Sequence, residues 1–235
     1  MPCICAQVDI GPRFGPGTVP GTENQAGVVP SPPQVPLGSA ALFAILAGTT
    51  ITNTGGSVVT GDVGLSPGTS ITGFPPGTVI GTQHITDSAA AQAQLDLTAA
   101  YLDLESRIGS APVAGNIGGQ TLTPGIYKST STLAISSGEL TLNAQGNADA
   151  IFIFQVASTF TMTAARQIIL TGGAQAKNVF FQVGTSATIG STAVFNGNIL
   201  ALTAITVVTG AVVNGRLLAR NAAVTLDTNP VTKPA

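Results

Sequence analysis

Charged and aromatic side chains are scarce in this chain of 235 residues. Asp, Glu, Lys and Arg make up 8% of it, there is one histidine, and tryptophan is absent. Ordinary globular domains carry about 25% charged residues. The formal charge of -2 and the lack of any basic run argue against a nucleic-acid partner, because contacts to a phosphate backbone need clustered Lys and Arg.

Long hydrophobic runs are missing as well. The longest resemble residues 150–156, AIFIFQV, and fall far short of the roughly 18 to 20 apolar residues that span a bilayer. We therefore predict a soluble protein with no membrane segment. The opening residues, MPCICAQV, lack the charged and apolar regions of a signal peptide, so we expect none in the sequence as it stands.

Cysteine is limited to Cys3 and Cys5, in an arm rich in Pro and Gly that runs to about residue 36. A CxC pair is too short for an easy disulfide and too isolated to supply a zinc site. We interpret the two residues as free thiols. We expect no metal and no cofactor.

What the chain does contain is an internal repeat. Residues 185–202, TSATIGSTAVFNGNILAL, align without a gap over residues 203–220, TAITVVTGAVVNGRLLAR. The same template fits residues 49–63, and another copy begins at residues 69–72. Repeats of this length with Gly or Asn-Gly at their corners are typical of a β-solenoid, where each coil buries its apolar side chains against its neighbours. We predict coils over about residues 37–85 and again from about residue 117.

One helix is predicted between the two blocks of coils, over about residues 87–108. Thr86 or Asp87 can cap its first turn, and Gly109 can take the left-handed position after its last. Its apolar residues recur at spacings of three and four, which places them on one face: Ala93, Leu97, Ala100, Tyr101, Leu104 and Ile108. We expect this face to pack on the strands AIFIFQV and NVFFQVG, which are apolar on both sides.

The outward positions of the coils are rich in hydroxyl groups. If the inward residues are Ile51, Ile71, Ile135, Phe160, Ala187 and Ile205, strand alternation turns their neighbours outward. The column after them contains Thr52, Thr72, Ser136, Thr161, Thr188 and Thr206, with Thr225 joining if one residue is inserted near Ala222. The column before them contains Thr50, Ser70, Ala134, Thr159, Ser186 and Ala204.

Two interpretations of these columns compete. Thr has a high strand propensity and stacks well in ladders, so the columns could serve stability alone. Exposed sheets, however, normally carry Lys, Glu and Arg, which are nearly missing here. A rigid lattice of methyl and hydroxyl groups can hold a matching lattice of water, and the ligand with that periodicity is ice. A second column, Thr60, Asn196 and Asn214, is the next candidate, although Asn-Gly is also a common turn pair.

The segments LGSAALFAILAGTTITNTG, GDVGLSPG, LTPGIYK, DAIFIFQV and TGAVVNGRLLA resemble the microbial β-solenoid ice-binding (antifreeze) proteins, and the resemblance covers residue 37 to about residue 231. It implies a right-handed, discontinuous β-helix of triangular section with one long helix alongside. It also implies ice binding on a flat face, thermal hysteresis, inhibition of ice recrystallisation, and secretion. The predicted division is an arm, residues 1–36, and an ice-binding domain, residues 37–235.

The chain departs from the family pattern in one region. Many members insert a capping head between the first coils and the helix, but here only about a dozen residues separate Phe74 from the helix. Another element must cap that end of the solenoid. The arm either folds back as this cap or is disordered.

Two other functions compete with ice binding. An adhesion module could use the same face, but it would carry an anchor or partner domains. A β-helix enzyme acting on polysaccharides would need clustered carboxylates, a base or a metal. The carboxylates Asp62, Glu139, Asp149 and Asp227 fall on different repeat positions, and the single histidine, His84, precedes the helix. We expect no enzyme. Without a large exposed apolar patch in the repeats, we expect a monomer.

Overall fold

The computed structural model describes residues 31–235. Cys3, Cys5 and most of the predicted arm lie outside it.

The first block of coils contains a 3-10 helix, Gly38–Leu42, followed by seven strands. These are β1 (Phe43–Ala47), β2 (Thr50–Thr54), β3 (Val58–Thr60), β4 (Asp62–Leu65), β5 (Ser70–Thr72), β6 (Thr78–Ile80) and β7 (Gln83–Ile85). Helix α1 follows, from Ser88 to Ser106. Asp87 caps it, since its Oδ1 accepts a hydrogen bond from the amide of Ala90 at 2.8 Å.

The second block begins close behind the helix. Its strands are β8 (Ala111–Pro112), β9 (Gly115–Asn116), β10 (Thr121–Leu122), β11 (Gly125–Ser129), β12 (Leu133–Ile135), β13 (Leu140–Asn143), β14 (Phe152–Val156), β15 (Phe160–Met162), β16 (Ile168–Thr171), β17 (Val179–Val183), β18 (Ala187–Ile189), β19 (Val194–Ala201), β20 (Ile205–Val207), β21 (Val212–Ala219), β22 (Val224–Asp227) and β23 (Pro230–Thr232). A second 3-10 helix, Ala176–Asn178, precedes β17.

The strands form three flat faces of parallel sheet. The face covered by the helix has the order β7-β4-β1-β21-β19-β17-β14-β11-β8, and the second face, here named the Thr face, has the order β5-β2-β22-β20-β18-β15-β12-β9. The third face runs β6-β3-β23-β21-β19 and continues through a bridge between Gln167 and Val194 to β16-β13-β10. The predicted fold class, a discontinuous three-sided β-helix with one helix alongside, is confirmed.

The order of the coils explains why a helix is needed. The first block stacks on the last coil of the second block, since β2 pairs with β22 and β1 pairs with β21. The chain must therefore return to the far end before it can build the second block. Helix α1, about 28 Å long, carries it along a stack of nine strands that measures about 38 Å.

The 18-residue repeat appears directly in the pairing of β19 with β21. These strands are in register over eight residues, from Val194 opposite Val212 to Ala201 opposite Ala219. Both turn a corner between two faces at a glycine that follows an asparagine. A Cβ atom on Gly215 would overlap the carbonyl oxygen of Gly197, so the corner requires the glycine that the repeat provides.

Aromatic rings from all three faces meet in the interior. Phe181 stacks on Phe154 with ring centroids 4.4 Å apart, and it lies 4.5 Å from Phe160 and 5.4 Å from Phe195. Tyr127 extends the stack at 5.3 Å from Phe154. Because Phe160 lies beneath the Thr face, the interior gives that face a rigid support.

The predicted packing of the helix is confirmed. Its residues Ala93, Leu97 and Leu104 are fully buried and belong to one cluster with Ile153 and Phe180, from the two strands that the sequence indicated. Side-chain hydrogen bonds fix the contact, because the Gln155 amide donates to the carbonyl of Leu104 at 2.7 Å and the Tyr101 hydroxyl contacts the carbonyl of Val183 at 3.3 Å.

One helix prediction was wrong. Ile108 is 88% exposed, because the helix ends at Ser106 and Arg107 is already extended. The Arg107 guanidinium instead donates to the carbonyl of Gln34 at 2.8 Å, which ties the last residues of the predicted arm to the end of the helix. Gly109 does adopt a positive φ of 82°, three residues beyond the end of the helix. In the range that the structure describes, no helix has the length and apolarity needed to cross a bilayer.

Candidate functional site

The structure brings six threonines into a single column on the Thr face. Consecutive strands place them directly opposite one another, and in spatial order they are Thr72, Thr52, Thr225, Thr206, Thr188 and Thr161. Thr225 joins through the one-residue insertion that the sequence analysis allowed near Ala222. With about 4.8 Å between strands, the column extends over about 24 Å.

The predicted register was wrong at one strand. Ala134 stands opposite Thr161, so Ala134 belongs to the Thr column and Ser136 lies two residues beyond it. The inward residue level with Phe160 is Leu133, and Ile135 pairs with Met162. Leu133 and Ile135 are both buried, so either could have been chosen as the anchor of this strand from its sequence alone.

The column before the inward residues is less uniform. Thr50 and Ser70 stand opposite each other, and Thr159, Ser186 and Ala204 follow on neighbouring strands through backbone hydrogen bonds. Thr132 occupies the place that Ala134 was expected to fill, since the amide of Leu133 donates to the carbonyl of Thr159. This second row therefore mixes hydroxyl and methyl groups.

The hydroxyl groups of the Thr column are not used by the protein. Within residues 31–235, none of the six forms a side-chain hydrogen bond to another protein group, although neighbouring hydroxyls do, such as Ser186 and Thr203 at 2.7 Å. Thr52 and Thr72 are exposed and the other four are partly exposed. Six threonine hydroxyls and six methyl groups are therefore presented to solvent at equal intervals.

The threonines are held by buried neighbours. Thr188 lies between Ala187 and Ile189, which are both fully buried. Thr206 lies between Ile205, which is fully buried, and Val207, which is almost fully buried. Since successive side chains of a strand point to opposite faces, these buried residues fix the outward direction of each threonine. The array is ordered before any ligand arrives.

Two further threonines form a row at the adjacent corner, where the 18-residue repeat aligns Thr185 with Thr203. The amide of Thr203 donates to the carbonyl of Thr185 at 3.0 Å. Neither residue presents a free hydroxyl to solvent, because the Thr185 hydroxyl oxygen is buried and the Thr203 hydroxyl contacts the Ser186 hydroxyl of the preceding coil.

The Thr face offers little to acid–base or metal chemistry. Its eight strands carry one charged residue, Asp227, at the end of β22, where its carboxylate accepts a hydrogen bond from the Thr209 hydroxyl. Among the described residues, no group of three or more His, Cys, Asp or Glu is placed to hold a metal ion. What this surface can do is order water through regularly spaced hydroxyls and methyls.

The third face contains the alternative column that the sequence suggested. Thr60, Thr232, Asn214 and Asn196 stand opposite one another there. The asparagines are engaged within the protein, because the Asn214 amide donates to the Asn196 side-chain oxygen at 2.9 Å and the Asn196 amide donates to the carbonyl of Ile168 at 2.7 Å. They brace the sheet and have less capacity for an external ligand.

A family model, similar sequences and similar solved structures all relate this chain to ice-binding proteins. The Ice-binding-like family model matches residues 45–232. An ice-binding protein of Nostoc sp. (strain HG1) is 50% identical over 198 residues, which cover 83% of this chain and 73% of the relative.

Two solved structures extend the comparison. An ice-binding protein from an Antarctic biological consortium superposes with a TM-score of 0.85 at 52% identity, over 88% of this chain and 96% of that one. An antifreeze ice-binding protein from an Arctic yeast gives 0.79 at 34% identity, over 86% of this chain and 94% of that one. These similar proteins are described as ice-binding proteins and not as enzymes.

Proposed function

Since the chain belongs to the Ice-binding-like family, we propose that it binds ice and does so through the Thr face. The observation that carries the choice of face is the in-register column of six threonines whose hydroxyls have no partner within the described protein. The second row, with Thr50, Ser70, Thr159 and Ser186, widens the contact. Ser136 lies at its margin.

The proposed mechanism is adsorption without chemistry. The threonine methyl groups order the adjacent water, and the hydroxyls hydrogen-bond into that layer. Because the strands are already fixed by the buried residues beneath them, little conformational entropy is lost when the layer joins the ice lattice. Ice that grows between adsorbed molecules must curve outward, which lowers its local freezing point and produces thermal hysteresis. The same adsorption keeps small crystals from coarsening.

Several finer features belong to the same proposal. The protein acts as a monomer without enzymatic activity, needs no cofactor, and functions outside the cell, where extracellular ice forms. The scarcity of charge on the Thr face supports a binding role. The comparisons favour antifreeze activity over adhesion, because the relatives reported above are described by ice binding alone.

The experiment that tests this function is ice-plane affinity. Fluorescently labelled protein is incubated with a single-crystal ice hemisphere in dilute solution, and the planes that become fluorescent are recorded. We expect fluorescence on defined planes, together with shaping of small crystals. A dark hemisphere, with protein that circular dichroism shows to be folded, would contradict the proposal and leave the threonine column a structural feature.

A further inference from the structure

The threonine column stops before the solenoid does. Beyond Thr161 two more coils continue the Thr face, and their residues at the column position are Ala134 and Asn116. The array of free hydroxyls therefore covers six of the eight coils. The array ends because the residue type at the column position changes. The backbone pairing itself continues in register beyond Thr161.

Asn116 closes the column with a side chain that is already engaged. Its amide donates to the side chain of Ser137 at 3.0 Å, and its side-chain oxygen accepts from the amide of Ser136 at 2.7 Å. These bonds hold the edge strand β9 to its neighbour. Asn116 thus stabilises the end of the solenoid. Its side chain carries no hydroxyl and cannot extend the threonine column.

Ala134 is different, because its methyl group forms no hydrogen bond to a neighbouring coil. It is partly exposed, it lies between the buried residues Leu133 and Ile135, and it faces the same side as Thr161. Threonine fits a half-exposed strand position better than alanine. A threonine here would add a seventh hydroxyl and methyl at the spacing of the other six.

We propose that Ala134 sets the boundary of the ice-contacting array and limits its length. This inference rests on the proposed function of the Thr face. Adsorption of a rigid array is multivalent, so each added row binds as an intramolecular event once the others are in place. The Ala134→Thr variant lengthens the column from six rows to seven. We expect it to raise thermal hysteresis at equal protein concentration by about one sixth.

A matched variant controls for the chemical change itself. Ala111→Thr makes the same substitution at an exposed residue of β8, on the sheet that bears the helix and at the same end of the solenoid. We expect its thermal hysteresis to equal that of the unmodified protein, and we expect circular dichroism and the melting temperature to be nearly unchanged for both variants.

The outcomes separate this inference from the proposed function. A gain for Ala134→Thr alone supports it. A second outcome is that Ala134→Thr gives no gain while a bulky residue at Thr188, in a separate variant, abolishes activity. That result overturns the boundary role of Ala134, and the Thr face remains the ice-contacting surface. An equal gain for Ala111→Thr overturns it as well. If neither Ala134→Thr nor the bulky residue at Thr188 alters activity, the Thr face itself is the wrong surface.

Discussion

The Thr face and the third face are built from the same coils, and both are flat and nearly free of charge. They differ in how strictly one residue type is repeated. Along the Thr face, six consecutive coils present threonine at one position. Along the third face, the equivalent position changes from Ile80 to Thr60, Thr232, Asn214 and Asn196.

The two faces also differ in what their polar groups already bind. The threonine hydroxyls have no partner within the described residues, whereas Asn214 and Asn196 bond to each other and to the backbone. The third face further exposes apolar side chains, Val58 at 41% and Ile80 at 58%. A flat, uncharged sheet is therefore a common product of this fold, and regular free hydroxyls are the feature by which the Thr face differs from the third face.

The largest expected effect comes from a pair of variants, each with one bulky residue on a different face of the same coil. In Thr206→Tyr, the ring would stand above the plane of the column and hold neighbouring threonines away from ice. We expect loss of most thermal hysteresis, measured by nanolitre osmometry, with an unchanged circular dichroism spectrum.

The matched control is Asn214→Tyr, eight residues along the chain on the third face. Its ring also projects from a flat sheet, so it reproduces the change in size and aromaticity. We expect this variant to retain nearly full activity. The reverse pattern, with activity lost for Asn214→Tyr and kept for Thr206→Tyr, would move the ice-contacting surface to the third face.

A smaller effect is expected when the shape of the Thr face is kept. Thr188→Val replaces the hydroxyl by a methyl group of similar size, and Thr188→Ser removes the methyl but keeps the hydroxyl. If both groups order the contacting water, each variant should lose part of the thermal hysteresis, and each should lose less than Thr188→Tyr. Full activity in one of the two would show that the group it lacks is dispensable at this position.

The general architecture could be predicted because the repeat is physically strict. Val194 to Ala201 pairs with Val212 to Ala219 without a break, and glycine is required where both strands turn the corner. The helix could be predicted because Asp87 caps it and its apolar residues lie on one face. Each of these signals is local, or is repeated at a constant interval.

The error in strand register arose where the length of the repeat changes. The coil from Ala134 to Thr161 is longer than the coil from Thr188 to Thr206, so the register could not be copied from the repeat. Leu133 and Ile135 both point inward, and only the backbone pairing decides which one is level with Phe160. The stacking of β2 on β22 was also beyond prediction, because similar coils give no signal for which of them are neighbours.

The asparagine ladder of the third face provides a test on stability. Asn196→Ala removes the donor to the Ile168 carbonyl and the acceptor for the Asn214 amide. We expect a loss of about 1 kcal/mol in the free energy of unfolding, which corresponds to about 3 °C in melting temperature for a chain of this size. Thermal hysteresis at low temperature should be unchanged, and a clear loss of activity in the folded variant would assign the ladder to the ice contact.

The smallest expected effect is the dependence of stability on pH. It distinguishes the helix, which carries a titrating carboxyl group, from the Thr column, which carries none. Hydrogen bonds from the Ser39 hydroxyl, the Ser39 amide and the Gln92 side chain hold the pKa of the Asp96 carboxyl below its usual value. A carboxyl whose pKa is lowered by folding contributes stability above its unfolded pKa, near pH 4, and loses that contribution as the pH falls through its folded pKa. The threonine hydroxyls do not titrate in this range.

We therefore expect the melting temperature to fall below about pH 4, while thermal hysteresis stays constant between neutral pH and that point. Asp96→Asn should melt slightly lower than the unmodified protein at pH 7 and should show a shallower decline in acid. Circular dichroism melts from pH 7 downward, paired with osmometry, measure both quantities. A change in ice activity between pH 5 and pH 8 without unfolding would place a titrating group in the ice contact, which the Thr column does not contain.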